Sequence, residues 1–213
     1  MTTVHPARAA LAGGTTVDWL FTGDSIVAAA KWTGVHRGYA DLFAERVRYG
    51  LGRRDDTVLN TAVSGWRVPQ LRDALQRSVL RHAPHVVVIG LGSNDANEGP
   101  AGLTAFRREY AAVVRQIGDT TGAAVVLQTP PTVTPYRPQS ADLDAYADAV
   151  REVAAETGSH LVDHHAVWRA DGDDALALLV DGLHPGPEGH QKLARDLLTS
   201  LGDPHPTWGV AGP

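Results

Sequence analysis

The chain has 213 residues, 43% of them hydrophobic and 20% charged, with a formal net charge of −5. Those values fit one globular domain, residues 1–213, large enough to bury its own core, and they exclude a disordered or collagen-like chain. The absence of cysteine excludes disulfides, a thiol nucleophile and thiolate zinc sites, while an acidic domain with no basic stripe is a poor partner for nucleic acid or an anionic membrane.

The segment Met1 to Arg8 lacks a strongly basic start, and the apolar stretch after it is broken by Gly13 and Gly14, so no signal peptide is expected. No run reaches the roughly 20 apolar residues that span a bilayer. The expectation is a cytoplasmic protein without membrane insertion. Five short apolar runs then alternate with helical patterns. Val17–Phe21 reads as a first strand stopped by Gly23, and Gly38–Tyr49 carries apolar residues at helical spacing up to Gly50. Thr57–Val63 is a second strand. Pro69–His82 is a helix with Leu71, Leu75, Val79 and Leu80 on one face and Pro69 suited to its first turn. His85–Leu91 is continuously apolar and β-branched, as a strand covered on both faces should be. A helix is expected over Thr104–Ile117, a strand over Ala123–Thr129 stopped by Pro130 and Pro131, and a helix over Ala141–Glu156 ended by Gly158. A short strand, His160–Asp163, and a closing helix, Pro187–Leu201, complete a core of residues 17–201. Gly202–Pro213 reads as an irregular tail, with Trp208 expected to pack on the body or on a neighbouring chain.

Alternating strands and helices imply βαβ units, a parallel sheet and helices on both faces, a three-layer α/β/α sandwich. In such sheets the site lies beyond the carboxyl ends of the strands. Four motifs occupy those ends or the last loop: Gly23-Asp24-Ser25 after the first strand, Ser64-Gly65-Trp66 after the second, Gly92-Ser93-Asn94-Asp95 after the third, and Asp181-Gly182-Leu183-His184 before the last helix. Acyl transfer needs a nucleophile, a base, a group that orients the base, and donors for an oxyanion. Ser25 can project from the strand end as nucleophile. His184 can serve as base, and Asp181, three residues earlier on the same loop, can fix its tautomer. The backbone N–H groups of Ser25 and Gly65 and the Asn94 side-chain amide can converge on one oxyanion, and a glycine leaves its N–H open to close approach. Asp24 and Asp95 read as structural carboxylates bonded to loop N–H groups. Taken singly, Ser25 could cap a helix, Asp181-Gly182 could be a plain turn, and Asn94-Asp95 a second cap. What those readings leave unexplained is why Ser, Gly, Asn and His fall at one edge of one sheet.

The four blocks, in this order over about Val17–Leu201, resemble the SGNH hydrolases, also called GDSL-type esterases and lipases. The resemblance implies a flavodoxin-like five-stranded parallel sheet of order 2-1-3-4-5. It also implies that Ser25, His184 and Asp181 are the catalytic residues, that Ser25, Gly65 and Asn94 form the oxyanion hole, and that hydrolysis needs no cofactor. Acyl transfer to an alcohol would use the same residues, and a non-catalytic flavodoxin-like binding module is the rival from another class.

His160, Asp163, His164 and His165 form the only group with a metal flavour. Adjacent strand residues point to opposite faces, there is no His-Glu-x-x-His, and no metal is expected. Gly90-x-Gly92 lacks the third glycine of a dinucleotide fingerprint, no phosphate-binding loop occurs, and Gly-x-Ser-x-Gly is absent. Ile26, Trp66, Arg67, Tyr136 and Leu183, with Val27, Trp32 and Arg137 nearby, flank the motifs and are candidates to line a substrate cleft. Short connections leave little chain for a lid, which favours a small or water-soluble ester.

Overall fold

The computed structural model describes residues 4–208. Its elements in chain order are α1 (Pro6–Ala12), β1 (Asp18–Gly23), α2 (Ser25–Ala28), α3 (Tyr39–Glu45), β2 (Thr57–Asn60), α4 (Val68–Ser78), β3 (Val86–Gly90), α5 (Gly99–Thr121), β4 (Ala124–Gln128), α6 (Leu143–Thr157), β5 (His160–Val162), α7 (His164–Asp171), α8 (Asp173–Ala177) and α9 (Pro187–Leu201). The five strands form one parallel sheet in the order β2-β1-β3-β4-β5, as expected.

The period-two alternation of each strand divides the core. Leu20, Val87, Ile89, Val125 and Leu127 face α4, α5 and α6. Trp19, Phe21, Val86, Val88, Val126 and Val162 face α1, α3, α7 and α9, where Trp19, Phe43, Phe21 and Tyr39 meet edge to face. With both sides covered, the central strands are apolar at nearly every position.

Several boundaries differ from the sequence reading. The helix expected from Thr104 begins at Gly99, with Pro100 in its first turn where a missing N–H costs nothing. β2 ends at Asn60, but Thr61 and Val63 still donate to Phe21 O and Gly23 O, so the chain follows β1 to its end. Gly38–Tyr49 divides into α3 and a wider turn of helix over Arg46–Gly50. His164 and His165 do not continue the fifth strand. They open α7, whose N-cap Asp163 accepts from Ala166 N–H, so the strand argument about their faces does not apply. Of the expected tail, Trp208 lies on the body of the protein: its indole N–H donates to Leu42 O at 2.7 Å and Arg195 covers its ring. Residues 209–213 of that tail lie outside the described residues.

The chain leaves β1 for β2 on one side and returns to β3 on the other, which makes the β1/β3 ends the switch point where a crevice opens. There Gly23 pairs with Gly90. Gly23 has φ +149°, and a Cβ on it would collide with Gly90 O. Gly23→Ala is therefore expected to lose roughly 3 kcal/mol or more of stability. Gly118→Ala, in α5 with open space around the added methyl, is expected to gain up to about 1 kcal/mol. Urea midpoints of the two variants check the contrast, and comparable values for both would show that the strand ends tolerate a side chain.

Candidate active site

Ser25 is the first residue of α2, immediately beyond β1. Asp24 caps this helix, its Oδ1 accepting from Ile26 N–H at 2.9 Å, while Asp24 N–H donates to Gly90 O. Ser25 Oγ lies 2.8 Å from His184 Nε2, although 159 residues separate them in sequence. Nδ1 of the same imidazole lies 2.9 Å from Asp181 Oδ2. Serine, histidine and aspartate are thus linked side chain to side chain in the order the sequence suggests.

The loop carrying Asp181 and His184 folds tightly on itself. Asp181 Oδ1 accepts from the Leu183 and His184 N–H groups, and Val180 N–H donates to His184 O. Gly182, at φ +82°, sits where a Cβ would run into Thr134 Oγ1 and Tyr136 Oη. The connection between β4 and α6 grips the loop from outside: Thr134 N–H donates to Gly182 O, Arg137 Nε donates to Asp181 O at 2.9 Å, and Arg137 Nη2 lies 3.1 Å from Asp181 Oδ2. Arg137 is therefore a brace for the carboxylate.

The electrostatics follow from these contacts. Burial opposes charge on Asp181, but the bonds from the His184 backbone and ring and from Leu183 N–H outweigh it and hold the carboxyl below its ordinary range. Burial also lowers the His184 pKa, and Asp181 only partly restores it, with Arg137 and Lys31 pushing it down further. The contact with Asp181 by itself raises the base, while dehydration sets the net direction. Behind Ser25, burial raises Asp24 to about 7 against the Ile26 N–H, with Asp95 adding to the rise. Burial likewise raises Asp95 to about 6, against the Val68 N–H that its Oδ1 accepts at 2.9 Å. Both carboxylates hold backbone N–H groups, though at the starts of α2 and α4 and not in the loops expected.

Among the described residues, neither the Ser25 nor the Gly65 backbone N–H has a protein acceptor. The Asn94 amide gives one hydrogen to Trp66 O at 3.1 Å, which ties the loop after β3 to the loop of Gly65 and leaves its second hydrogen available. The remaining candidates divide. Trp66 and Leu183 are buried in the α4–α6 side of the core, with Arg77 over the Trp66 ring. Ile26 and Val27 are buried on the opposite side. Arg67 is the N-cap residue of α4, where its backbone N–H donates to Gln70 Oε1 at 3.1 Å and its guanidinium pairs with Glu98. Tyr136 is 74% exposed beside Gly182, and Trp32 lies flat on the His184 ring, with centroids 3.4 Å apart and planes 9° from parallel. Among the described residues no group of three or more His, Asp or Glu could hold a metal ion, and no helix is long and apolar enough to cross a membrane.

Residues 21–192 match the GDSL-like Lipase/Acylhydrolase family. The chain is similar to the acetylxylan esterase of Geobacillus stearothermophilus, 28% identical over 86% of this chain and 93% of that protein. It is also similar to the isoamyl acetate-hydrolyzing esterase 1 homolog of Mus musculus, 27% identical over 89% of this chain and 84% of that protein. A crystal structure of a catalytic mutant of the Geobacillus enzyme superposes with a TM-score of 0.77, at 23% identity over 89% of this chain and 96% of that one. An alpha/beta hydrolase enzyme from the metagenome of Lake Arreo, Spain, gives 0.73, at 25% identity over 90% and 98%. These superpositions show the same fold.

The buried Asp24 yields a test of the electrostatics. Its folded-state pKa lies above the unfolded value, so folding favours the protonated form, and stability falls as pH rises from about 4 to about 7 and then levels off. Asp24→Asn keeps an acceptor for Ile26 and removes the charge. Its stability relative to wild type is expected to rise across that window by roughly 3 kcal/mol. Urea titrations at pH 4.5 and 8 read the difference, and a pH-independent difference would mean that Asp24 is not perturbed.

Proposed function

From the premise that the chain belongs to the GDSL-like lipase/acylhydrolase family, within the SGNH hydrolases, and is a carboxylic ester hydrolase, we propose that it works through an acyl-serine intermediate on Ser25. The observation that carries this reading is the continuous line Ser25 Oγ, His184 Nε2, His184 Nδ1, Asp181 Oδ2, with steps of 2.8 and 2.9 Å at its two ends.

Ser25 Oγ attacks the ester carbonyl carbon while His184 Nε2 takes its proton. The carbonyl oxygen becomes an oxyanion held by the Ser25 and Gly65 N–H groups and the free hydrogen of the Asn94 amide. Asp181 stabilises the imidazolium that forms. Collapse of the intermediate breaks the bond to the alcohol oxygen, which leaves with the proton from His184. Water then attacks the acyl-serine, gives its proton to His184, and releases the acid and free Ser25. None of these steps calls on a cofactor. We further propose a small or water-soluble ester with a short acyl group. The two curated relatives are named for acetyl esters of different alcohols, which supports a site selective for the acid part.

Ser25→Ala is expected to lower kcat on short p-nitrophenyl esters by several orders of magnitude with the fold intact. Normal turnover by the folded variant would sink the mechanism. Activity should rise with pH along one limb, centred below the ordinary histidine value because burial lowers His184. Asp181→Asn removes the contact that raises that pKa, so the limb should move to still lower pH while kcat falls; an unmoved limb would remove Asp181 as the partner.

A further inference from the structure

His184 has two in-plane partners, Ser25 at Nε2 and Asp181 at Nδ1. Hydrogen bonds at the ring nitrogens resist displacement within the ring plane. They resist poorly a tilt or slide out of it, which only atoms packed on the ring faces can block. Trp32 supplies that packing. Its indole covers one face of the imidazole at 3.4 Å, close to the van der Waals limit, with the rings nearly parallel. Lys31 Nζ also lies over the indole, 5.6 Å from its centroid.

The indole is itself anchored. It belongs to the segment between α2 and α3, whose first residue, Ala29, is held at φ +57°. Thr33 Oγ1 donates to Ala29 O at 3.0 Å, His36 N–H donates to Thr33 O, and Thr33 is buried. Thr33 thus ties the chain beside Trp32 back to Ala29, whose own N–H donates to Ser25 O at the end of α2. The charged and titratable groups around the imidazole are Asp181, Arg137, Lys31 and His190. Substitution of Trp32 leaves all four groups in the chain, and of these only Lys31 is packed over the indole itself.

We propose that Trp32 is a positioning residue for the base: its flat face blocks out-of-plane motion of the His184 ring and keeps water off it during proton transfer. The inference rests on the reading of His184 as the base. A displacement of a fraction of an ångström in a proton-transfer pair is costly, so a loss of roughly tenfold to hundredfold in kcat is expected from Trp32→Ala. KM should change little, because the indole supports the base and not the substrate. The acid limb should rise towards the ordinary histidine value as water regains the ring. Trp32→Leu, which refills volume without a flat face, should behave the same way and is the variant to read if the alanine protein does not fold. Trp32→Phe keeps a flat face and should restore most of kcat and the limb. Steady-state kinetics against pH on p-nitrophenyl acetate, with urea midpoints beside them, test the set. Wild-type kcat and limb in the folded leucine or alanine variant would overturn the proposal. So would an effect confined to KM, which would make Trp32 a wall of the substrate site. Turnover by Ser25→Ala, by contrast, would overturn the mechanism and not the stack alone.

Discussion

The position of Ser25 depends on how closely the backbones of β1 and β3 approach at their carboxyl ends. Gly23 and Gly90 pair there without side chains, and the next N–H, that of Asp24, still bonds to Gly90 O. Only then does the chain turn into α2 and present Ser25. Asp24 completes the turn by capping the helix from a fully buried position, where burial has moved its carboxyl up to about 7. A carboxylate is a costly way to cap a helix in such a place. The rest of the site inherits its coordinates from this corner: Val63 bonds to Gly23 O and so brings the Gly65 loop alongside, and β3 delivers Asn94 one loop away.

The two halves of the site are built by different means. Ser25, Gly65 and Asn94 are set by strand ends and by bonds among backbone groups, with the Asn94 amide fastened to Trp66 O. The imidazole is set by side chains from four places: Asp181 on its own loop, Arg137 behind Asp181, Ser25 across the crevice and Trp32 on its face. Its basicity is a balance between these groups and dehydration, and dehydration prevails.

The strands and the strand-end motifs were legible because each depends on local pattern, whereas the sheet order, set by pairing between distant strands, came from the family resemblance. β-branched apolar runs mark strands covered on both faces, and turns of Gly, Asp and Asn mark their exits. What the sequence hid depends on contacts between distant segments. Arg137 reaches Asp181 across 44 residues, with no periodicity to announce it. Trp32 lies in a segment without helical or strand pattern, so its stack on His184 has no local signature. Trp66 and Leu183, candidate cleft residues from their place beside the motifs, are as buried as Ser25 and His184 and pack against the α4–α6 side of the core, a contact with no local signature. The start of α7, like that of α5 with Pro100 in its first turn, was a miss with a usable signal: Asp163 is a good N-cap, but two histidines after a short apolar run read more easily as the end of a strand.

Asp181 and His184 share one short loop just ahead of α9, while Ser25 lies on α2 near the start of the fold. The aspartate–histidine pair can therefore form locally, whereas the serine–histidine contact closes a loop of 159 residues. That contact exists only when α2 and the loop before α9, from opposite ends of the chain, are brought together. On the proposed mechanism, activity is thus a report on the joining of the first and last parts of the fold, and a chain opened at its last helix loses it.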